Sequence, residues 1–338
     1  MIILDRCQGC LIGGAAGDAL GYEIEFEQMR QITKRFGREG ITEYVLHHGK
    51  APISDDTQMT LFTAEGLLRA DEPSFAGYRA GIRRAYQDWF LTQQARYPLP
   101  EARSAHSKLL QVCELFSRRA PGMTCMSAIQ NGCDGSVAAP VNNSKGCGGV
   151  MRVAPIGLYL SPDKFPEDDC DRLGAESAAL THGHELGWLS AAAFVHMIRK
   201  LVYADMSMHE AVESAAAAME RLFPKAAHLE VLTSLLRDAV DLADDPKVTP
   251  HKAYKTLGEG WVGEEALAIA VFCAVRYEED FEAGIIAAVN HDGDSDSTGA
   301  VCGNLIGARL GLSAIPEKFI LDLELRHTLM QMGAAMAG

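Results

Sequence analysis

No stretch of this chain approaches the ~18 uninterrupted apolar residues that a membrane span needs, so no spanning segment is expected. The first twenty residues lack the basic-then-apolar order of a secretory signal, because Asp5, Arg6 and Asp18 interrupt them. Positive charge is in deficit: 31 Lys and Arg stand against 45 Asp and Glu, a formal net charge of −14. Such a surface does not suit a phosphate backbone, and no direct nucleic-acid binding is expected. Paired cysteine motifs are missing as well. Nine cysteines lie scattered in a chain with no visible export signal, which reads as reduced thiols in a cytoplasmic protein. Cys7 and Cys10 form a lone Cys-x-x-Cys and, without a second pair, read as helix residues rather than zinc ligands. Alternating β-branched runs are almost absent, so no sheet is expected, and no low-complexity segment or long linker interrupts the chain.

What remains is helix. With 338 residues and 48% hydrophobic content the chain can build a substantial core. Apolar residues recur at three- and four-residue spacing around 57–70, 186–203, 209–222, 229–243, 264–277 and 298–311. Ser207 with Glu210 forms a capping box ahead of a helix through Met219, while Asp244-Asp245-Pro246 and Gly311 read as helix stops. The segments 91–108 and 118–150 read as irregular. The fold class is all-α. Gly9, Gly13, Gly17 and Gly21 repeat every four residues, and so do Gly299, Gly303, Gly307 and Gly311. A glycine inside a helix costs about 0.5–1 kcal/mol relative to Ala. Positions four apart share one helix face, so the spacing predicts helices buried at tight crossings near the centre. These faces tie the two chain ends into one core and predict a single domain over residues 1–338.

Two acidic clusters far apart in the chain carry the functional signal: Ser54-Asp55-Asp56-Thr57 and Asp292-Gly293-Asp294-Ser295-Asp296-Ser297-Thr298. Either alone is an ordinary helix N-cap, since Ser, Asp and Thr cap well and acids suit the first turn. An EF-hand reading of the second cluster fails, because Ser297 stands where the loop needs Gly and Gly303 where it needs Glu. Taken together, the clusters gather more carboxylates than one folded site tolerates without positive charge between them. Hard oxygen donors with no paired Cys or His select Mg²⁺, Mn²⁺ or Ca²⁺ over zinc or copper, and four carboxylates with two hydroxyls suit two ions. Gly17-Asp18-Ala19-Leu20-Gly21 leads into Glu23 and Glu25, which form either a solvated turn after a glycine helix end or an acidic group over the metals. Gly146-Cys147-Gly148-Gly149 is a glycine-rich loop able to wrap a diphosphate, though its spacing is neither Rossmann nor Walker. Thr181-His182-Gly183-His184 precedes a long apolar helix, and the two histidines do not share a helix face.

In this order along the chain, Gly17 to Gly21 with Glu25, Ser54 to Met59, Lys145 to Pro155, Thr181-His182 and Gly293 to Ala300 together resemble the ADP-ribosylglycohydrolase family. Gly260 to Leu267 looks like its bacterial branch, and the motif-bearing core runs from about 9 to 311. The resemblance implies an orthogonal helical bundle with a binuclear Mg²⁺ or Mn²⁺ site at the base of an ADP-ribose cleft. On that resemblance the metal ligands are Ser54, Asp55, Asp56, Asp294, Asp296 and Ser297. Gly146, Cys147, Gly148, Gly149 and Met151 border the diphosphate and adjoining ribose, and His182 faces the ligand. Ser54 and Ser297 stand where many relatives carry Thr, Cys147 where Asn is frequent, and Asp292 where Ser or Gly is. The implied reaction is hydrolysis at ribose C1″, with Glu25, Asp55, Asp56 and Asp296 in the acid–base roles. N-glycosidic ADP-ribosyl-arginine on protein is the first expected substrate, with serine-linked ADP-ribose or O-acetyl-ADP-ribose as alternatives. A sensor that binds ADP-ribose without cleaving it would not need both acidic clusters. An HD-type phosphohydrolase would need ligating His-Asp pairs, for which His291-Asp292 is the only dipeptide.

Overall fold

Residues 2–100 and 107–338 are described by a computed structural model; part of the segment read as irregular, 101–106, lies outside the described residues. The protein is an all-α bundle. The first part of the chain forms α1 (Ile2–Tyr22), α2 (Met29–Phe36), α3 (Asp55–Leu68), α4 (Phe75–Gln94), α5 (Met123–Gln130) and α6 (Ala154–Tyr159). The middle forms α7 (Glu167–Ala179), α8 (Glu185–Tyr203), α9 (Met208–Leu222), α10 (Leu229–Asp244) and α11 (Pro250–Leu257). The chain closes with α12 (Gly263–Arg276), α13 (Phe281–Val289), α14 (Ser295–Leu310) and α15 (Arg326–Met336). Among the described residues there is no sheet, only isolated bridges such as Gly146 with Val262. No helix there is long and apolar enough to cross a membrane.

Local chemistry accounts for the boundaries. Ser207 Oγ accepts from Glu210 N while Glu210 Oε2 accepts from Ser207 N at 2.8 Å, the expected capping box. Gly311 ends α14 at φ +87°, donating its N–H to Gly307 O. Two expectations are revised. The last helix of the acidic motif begins at Ser295 rather than Thr298, because Asp294 Oδ1 caps it by accepting from Ser297 N at 3.2 Å. The stretch 118–150 is not wholly irregular: it holds α5 and a 3-10 turn at Cys147–Gly149. Both are short, and their Gly- and Ser-rich flanks hide the period.

α1 and α14 form the centre, buried on every side from Gly9 to Gly21 and from Ser295 to Ala308. They run antiparallel with glycine facing carbonyl. A Cβ on Gly9 would stand 2.5 Å from Gly307 O. A Cβ on Gly13, Gly17 or Gly303 would fall inside the facing carbonyls of Gly303, Gly299 and Gly13 respectively. Asn304 Nδ2 donates to Cys10 O at 2.7 Å, locking the pair across the interface. The remaining helices wrap this pair, and buried apolar side chains from Cys7 to Met336 make one contiguous core. Cys7 and Cys10 are fully buried in α1, and all nine cysteines are free thiols.

The Gly303→Ala variant is expected to lose roughly 1–3 kcal/mol or more, since overpacking against a rigid backbone cannot relax through a rotamer. Gly49→Ala, with open space around it and φ +78°, is expected to cost only the left-handed conformation, roughly 1–2 kcal/mol. Urea denaturation of the two variants, compared at equal m-value, checks the difference.

Candidate active site

The α1–α14 register decides where the acidic clusters meet. Gly21, at the end of α1, abuts the Ser295 carbonyl at the start of α14. One turn earlier on α1, the fully buried Asp18 reaches sideways to α3. Its carboxylate accepts from Ser54 N at 2.9 Å, Thr57 N at 3.1 Å and Thr57 Oγ1 at 2.5 Å. Asp18 therefore holds the first turn of α3 from a neighbouring helix, satisfying N–H groups that would otherwise be orphaned. Burial pushes its carboxyl up to about 6, against the lowering effect of those hydrogen bonds. Sequence reasoning gave Asp18 no role of its own. The available signal was a carboxylate inside an otherwise apolar, glycine-faced helix.

Cap and ligand readings of the clusters turn out to be compatible. Ser54 Oγ caps α3 by accepting from Asp56 N at 3.2 Å, and Asp294 caps α14. Asp55 N donates to Arg119 O at 3.0 Å, and Asp55 Oδ2 accepts from Gly122 N at 3.3 Å. The two capped N-termini open onto one cleft of about 380 Å³. Of the residues singled out in the sequence, Glu25, Asp55, Asp56, Gly146, Cys147, Gly148, Met151, His182, Asp294, Asp296 and Ser297 line it. Ser54 and Gly149 do not; Ser54 is fully buried behind the floor with its hydroxyl turned to Asp56, and Gly149 packs toward Ala178 and Gly187.

The electrostatics of the floor are unfavourable for anions alone. Burial first, then Asp294, Asp55 and Asp18, push Glu25 up to about 9. Asp55, Asp56 and Asp296 are raised well above the usual carboxylate range, by burial first and then by neighbouring carboxylates, Asp294 acting on all three. Glu25 Oε2 and Asp56 Oδ2 are buried with no hydrogen-bond partner. Unpartnered buried carboxylate oxygens in an acidic cleft are the donor set that hard divalent cations fit. Among the described residues no three His, Cys, Asp or Glu side chains already close round one point as a metal group. The acids bond instead to thiol and backbone: Asp294 Oδ2 accepts from Cys147 Sγ at 2.8 Å, and Asp296 Oδ1 from Ser297 N at 2.9 Å. Gathering a cation would therefore require side-chain rotation and exchange of the thiol proton.

The opposite wall is built by two buried groups. Arg152 lies over the Tyr86 ring, 4.4 Å from its centroid, and donates to Thr181 Oγ1 at 2.7 Å. That oxygen is also 2.8 Å from His182 Nδ1. Burial and then Arg152 push His182 down to about 3, so it stays neutral and presents Nε2 toward Gly146 and Gly148. The glycine loop is held by a strap that sequence reasoning noted only as a motif: Cys147 N donates to Trp261 O, Gly263 N to Lys145 O, and Asp294 N to Glu259 O. At the mouth, Phe26 stacks on Trp261, with centroids 6.0 Å apart and planes 17° apart.

The raised carboxyls give a pH dependence of known sign. A carboxyl with a raised folded-state pKa binds more protons in the native state, so unfolding free energy falls as pH rises toward that pKa. His182 and His291 are lowered and act the other way, but only below their ordinary value of about 6.5. Between about pH 7 and 9 the raised carboxyls act with the same sign as the buried thiols of Cys7, Cys125, Cys133 and Cys170, which burial also raises. In chelator the unfolding temperature is expected to drop across this window. Mn²⁺ at 100 times its Kd is expected to add about 2.7 kcal/mol, and to flatten the drop. Calorimetric scans with and without the ion check this.

Comparison with known proteins agrees with this geometry. The sequence model of the ADP-ribosylglycohydrolase family matches residues 1–338. The chain is 26% identical over 336 residues to an uncharacterized protein of Archaeoglobus fulgidus, covering 98% of this chain and 96% of that one. It is 24% identical to ADP-ribosylhydrolase ARH3 of Homo sapiens, over 94% and 88% of the two chains. To the ADP-ribosyl-(dinitrogen reductase) glycohydrolase of Rhodospirillum rubrum it is 23% identical, over 95% and 91%. A solved ADP-ribosylglycohydrolase-related protein complex shares the fold with a TM-score of 0.59 at 23% identity, over 99% of this chain and 98% of that one. The match over the full length makes the resemblance drawn from the motifs a finding: the chain belongs to the ADP-ribosylglycohydrolase family.

Proposed function

We propose that this protein is a divalent-cation-dependent hydrolase, working as a single domain, that removes ADP-ribose from ADP-ribosyl-arginine on protein. The observation that carries this reading is the cleft itself. Five carboxylates from three separate parts of the chain, Glu25, Asp55, Asp56, Asp294 and Asp296, face one space beside a glycine loop and a neutral histidine. Asp55, Asp56, Asp294, Asp296 and Ser297 would hold two ions, Mg²⁺ or Mn²⁺, and Ser54 would join them by turning its hydroxyl from Asp56 N toward the cleft. Bound there, the ions would supply Lewis acidity to a water and to the ribose hydroxyls.

The chain's own groups account for the remaining steps. Gly146 and Gly148 keep side chains out of the way of a diphosphate, and His182 Nε2 faces the same space to make one hydrogen bond to the ligand. Water adds at ribose C1″ as the bond to the acceptor nitrogen breaks, through an oxocarbenium-like transition state. Asp55, Asp56 or Asp296 takes the proton from the water. Glu25, which holds a proton at neutral pH in the cation-free cleft, gives one to the leaving nitrogen. Arginine as acceptor is supported by the mouth. A second hollow of about 510 Å³ adjoins the cleft at Phe26 and Ala120 and is lined by Tyr22, Glu23, His47 and Arg119. Phe26 is 73% exposed, so the ring face turned away from Trp261 is open to a guanidinium, while Glu23, paired here with Arg35 and His47, would have to exchange one of them to hold it. Free thiols throughout suit a reducing, cytoplasmic compartment.

Release of ADP-ribose from arginine-ADP-ribosylated protein is expected with Mg²⁺ or Mn²⁺, and is expected to disappear in chelator and in Asp294→Ala. Cleavage only of serine-linked ADP-ribose or O-acetyl-ADP-ribose would keep the site and overturn the arginine acceptor. Tight binding of ADP-ribose with no cleavage of any conjugate would favour a sensor. Glu25→Gln is expected to lower kcat roughly 10²-fold or more and to remove one limb of the pH–rate profile. An unchanged profile would take Glu25 out of the acid–base role.

A further inference from the structure

Two thiols line the cleft, and they are held differently. Cys125 Sγ faces the Gly148 carbonyl at 3.9 Å and receives Arg152 Nη1 at 3.3 Å, so a buried cation already occupies its lone pairs. Cys147 Sγ instead donates to Asp294 Oδ2 at 2.8 Å, and it interacts electrostatically with Asp56 and Ser297. Three of the residues read above as cation ligands thus bear on this sulfur. A second observation points to the same place: Asp56, 3% exposed, turns Oδ2 into the cleft with no hydrogen-bond partner. The spacing suits shared coordination. A thiolate at ~2.3 Å and a carboxylate oxygen at ~2.1 Å from one tetrahedral ion lie about 3.6 Å apart. Cys147 Sγ and Asp294 Oδ2 stand 2.8 Å apart, so they would open by under about 1 Å as an ion replaced the thiol proton beside them.

We propose that Cys147 is itself a metal ligand, making this centre a mixed thiolate–carboxylate site that selects Zn²⁺ and Cd²⁺ over Mg²⁺ and Mn²⁺. The inference rests on the cation-binding reading of the cleft. On binding, the thiol proton passes to solvent as the metal–sulfur bond forms, and no redox partner is needed. All-oxygen donor sets suit Mg²⁺, whereas a single thiolate shifts affinity toward softer ions later in the divalent series. The strap through Trp261 and Val262 keeps the sulfur in place, since Cys147 N is tied to Trp261 O.

The test is titration of the full-length reduced protein with Cd²⁺, read as the ultraviolet sulfur-to-metal charge-transfer band. Calorimetry with Mg²⁺ and Mn²⁺ runs alongside. The band is expected in the native protein and in Cys125→Ser, and is expected to be lost in Cys147→Ser and Cys147→Ala. Cd²⁺ affinity should fall roughly tenfold or more in both Cys147 variants, while Mg²⁺ affinity changes less than about threefold. Protection of Cys147 from iodoacetamide by Cd²⁺, read by peptide mass spectrometry, locates the bond independently. Mn²⁺ binding with no Cd²⁺ band, or a band that survives in both Cys147 variants, overturns the thiolate ligand and leaves the cation site standing. Absence of binding by every ion overturns the cation reading and this inference with it. Thermal scans in chelator establish that each variant is folded before it is compared.

Discussion

The contact of glycine against backbone carbonyl between α1 and α14 is the constraint on which the rest of this molecule depends. It leaves no side chain between the two helices, so their separation and register are set by backbone atoms that cannot change rotamer. Because the helices are antiparallel, the end of α1 must meet the start of α14. Asp18, Glu25 and the Asp294-to-Ser297 turn come to one place for that reason alone. Asp18 then extends the arrangement to α3 by accepting three hydrogen bonds from its first turn. A side chain anywhere along the glycine seam would move two of the three acidic segments relative to each other.

That geometry has an electrostatic consequence. Two helix N-termini and a turn deliver carboxylates faster than buried surroundings can tolerate them, and burial raises the pKa of nearly every one. Among the described residues no arginine lines the cleft. Arg152, a buried guanidinium, lies behind the wall, where sulfur atoms, a carbonyl and Thr181 receive it and the Tyr86 face supports it. The floor is left acidic, short of positive charge and rigid, a strained local state held by a large surrounding core. A site of this kind is stable in proportion to what neutralises it, so ligand chemistry and fold stability are coupled here by design of the floor.

The mouth is organised by a different element. The strap from Glu259 to Val262 pairs with both the glycine loop and the Asp294 turn, so the diphosphate side and the acidic side of the cleft are joined through one short segment. Trp261 rides on that strap and stacks on Phe26, the residue after Glu25. Movement of the Glu25 segment is therefore felt at the strap, and through it by the loop that carries Cys147. Membership in the ADP-ribosylglycohydrolase family accounts for the shared motifs.

Much of this was legible before any coordinates. Four-residue glycine spacing announced a close crossing because only a helix face repeats that way. The hydroxyl–carboxylate clusters announced a site because so many acids are hard to gather otherwise. Periodicity located α3, α8, α9, α10, α12 and α14, but not the long α4 and α7, the shorter α2, α5, α6, α11, α13 and α15, or the true start of α14, which capping by Asp294 sets. Sequence alone also could not separate cap from ligand, since the same Ser54 and Asp294 serve local backbone needs first. The role of Asp18, the thiol bond from Cys147 to Asp294 and the Arg152–Thr181–His182 chain depend on groups distant in sequence. The composition and spacing of the residues determined the all-α class and the chemistry of the donor set. Only the tertiary structure decided which donors face one another, because that follows from the register of two helices whose contact is made by backbone rather than by side-chain pattern.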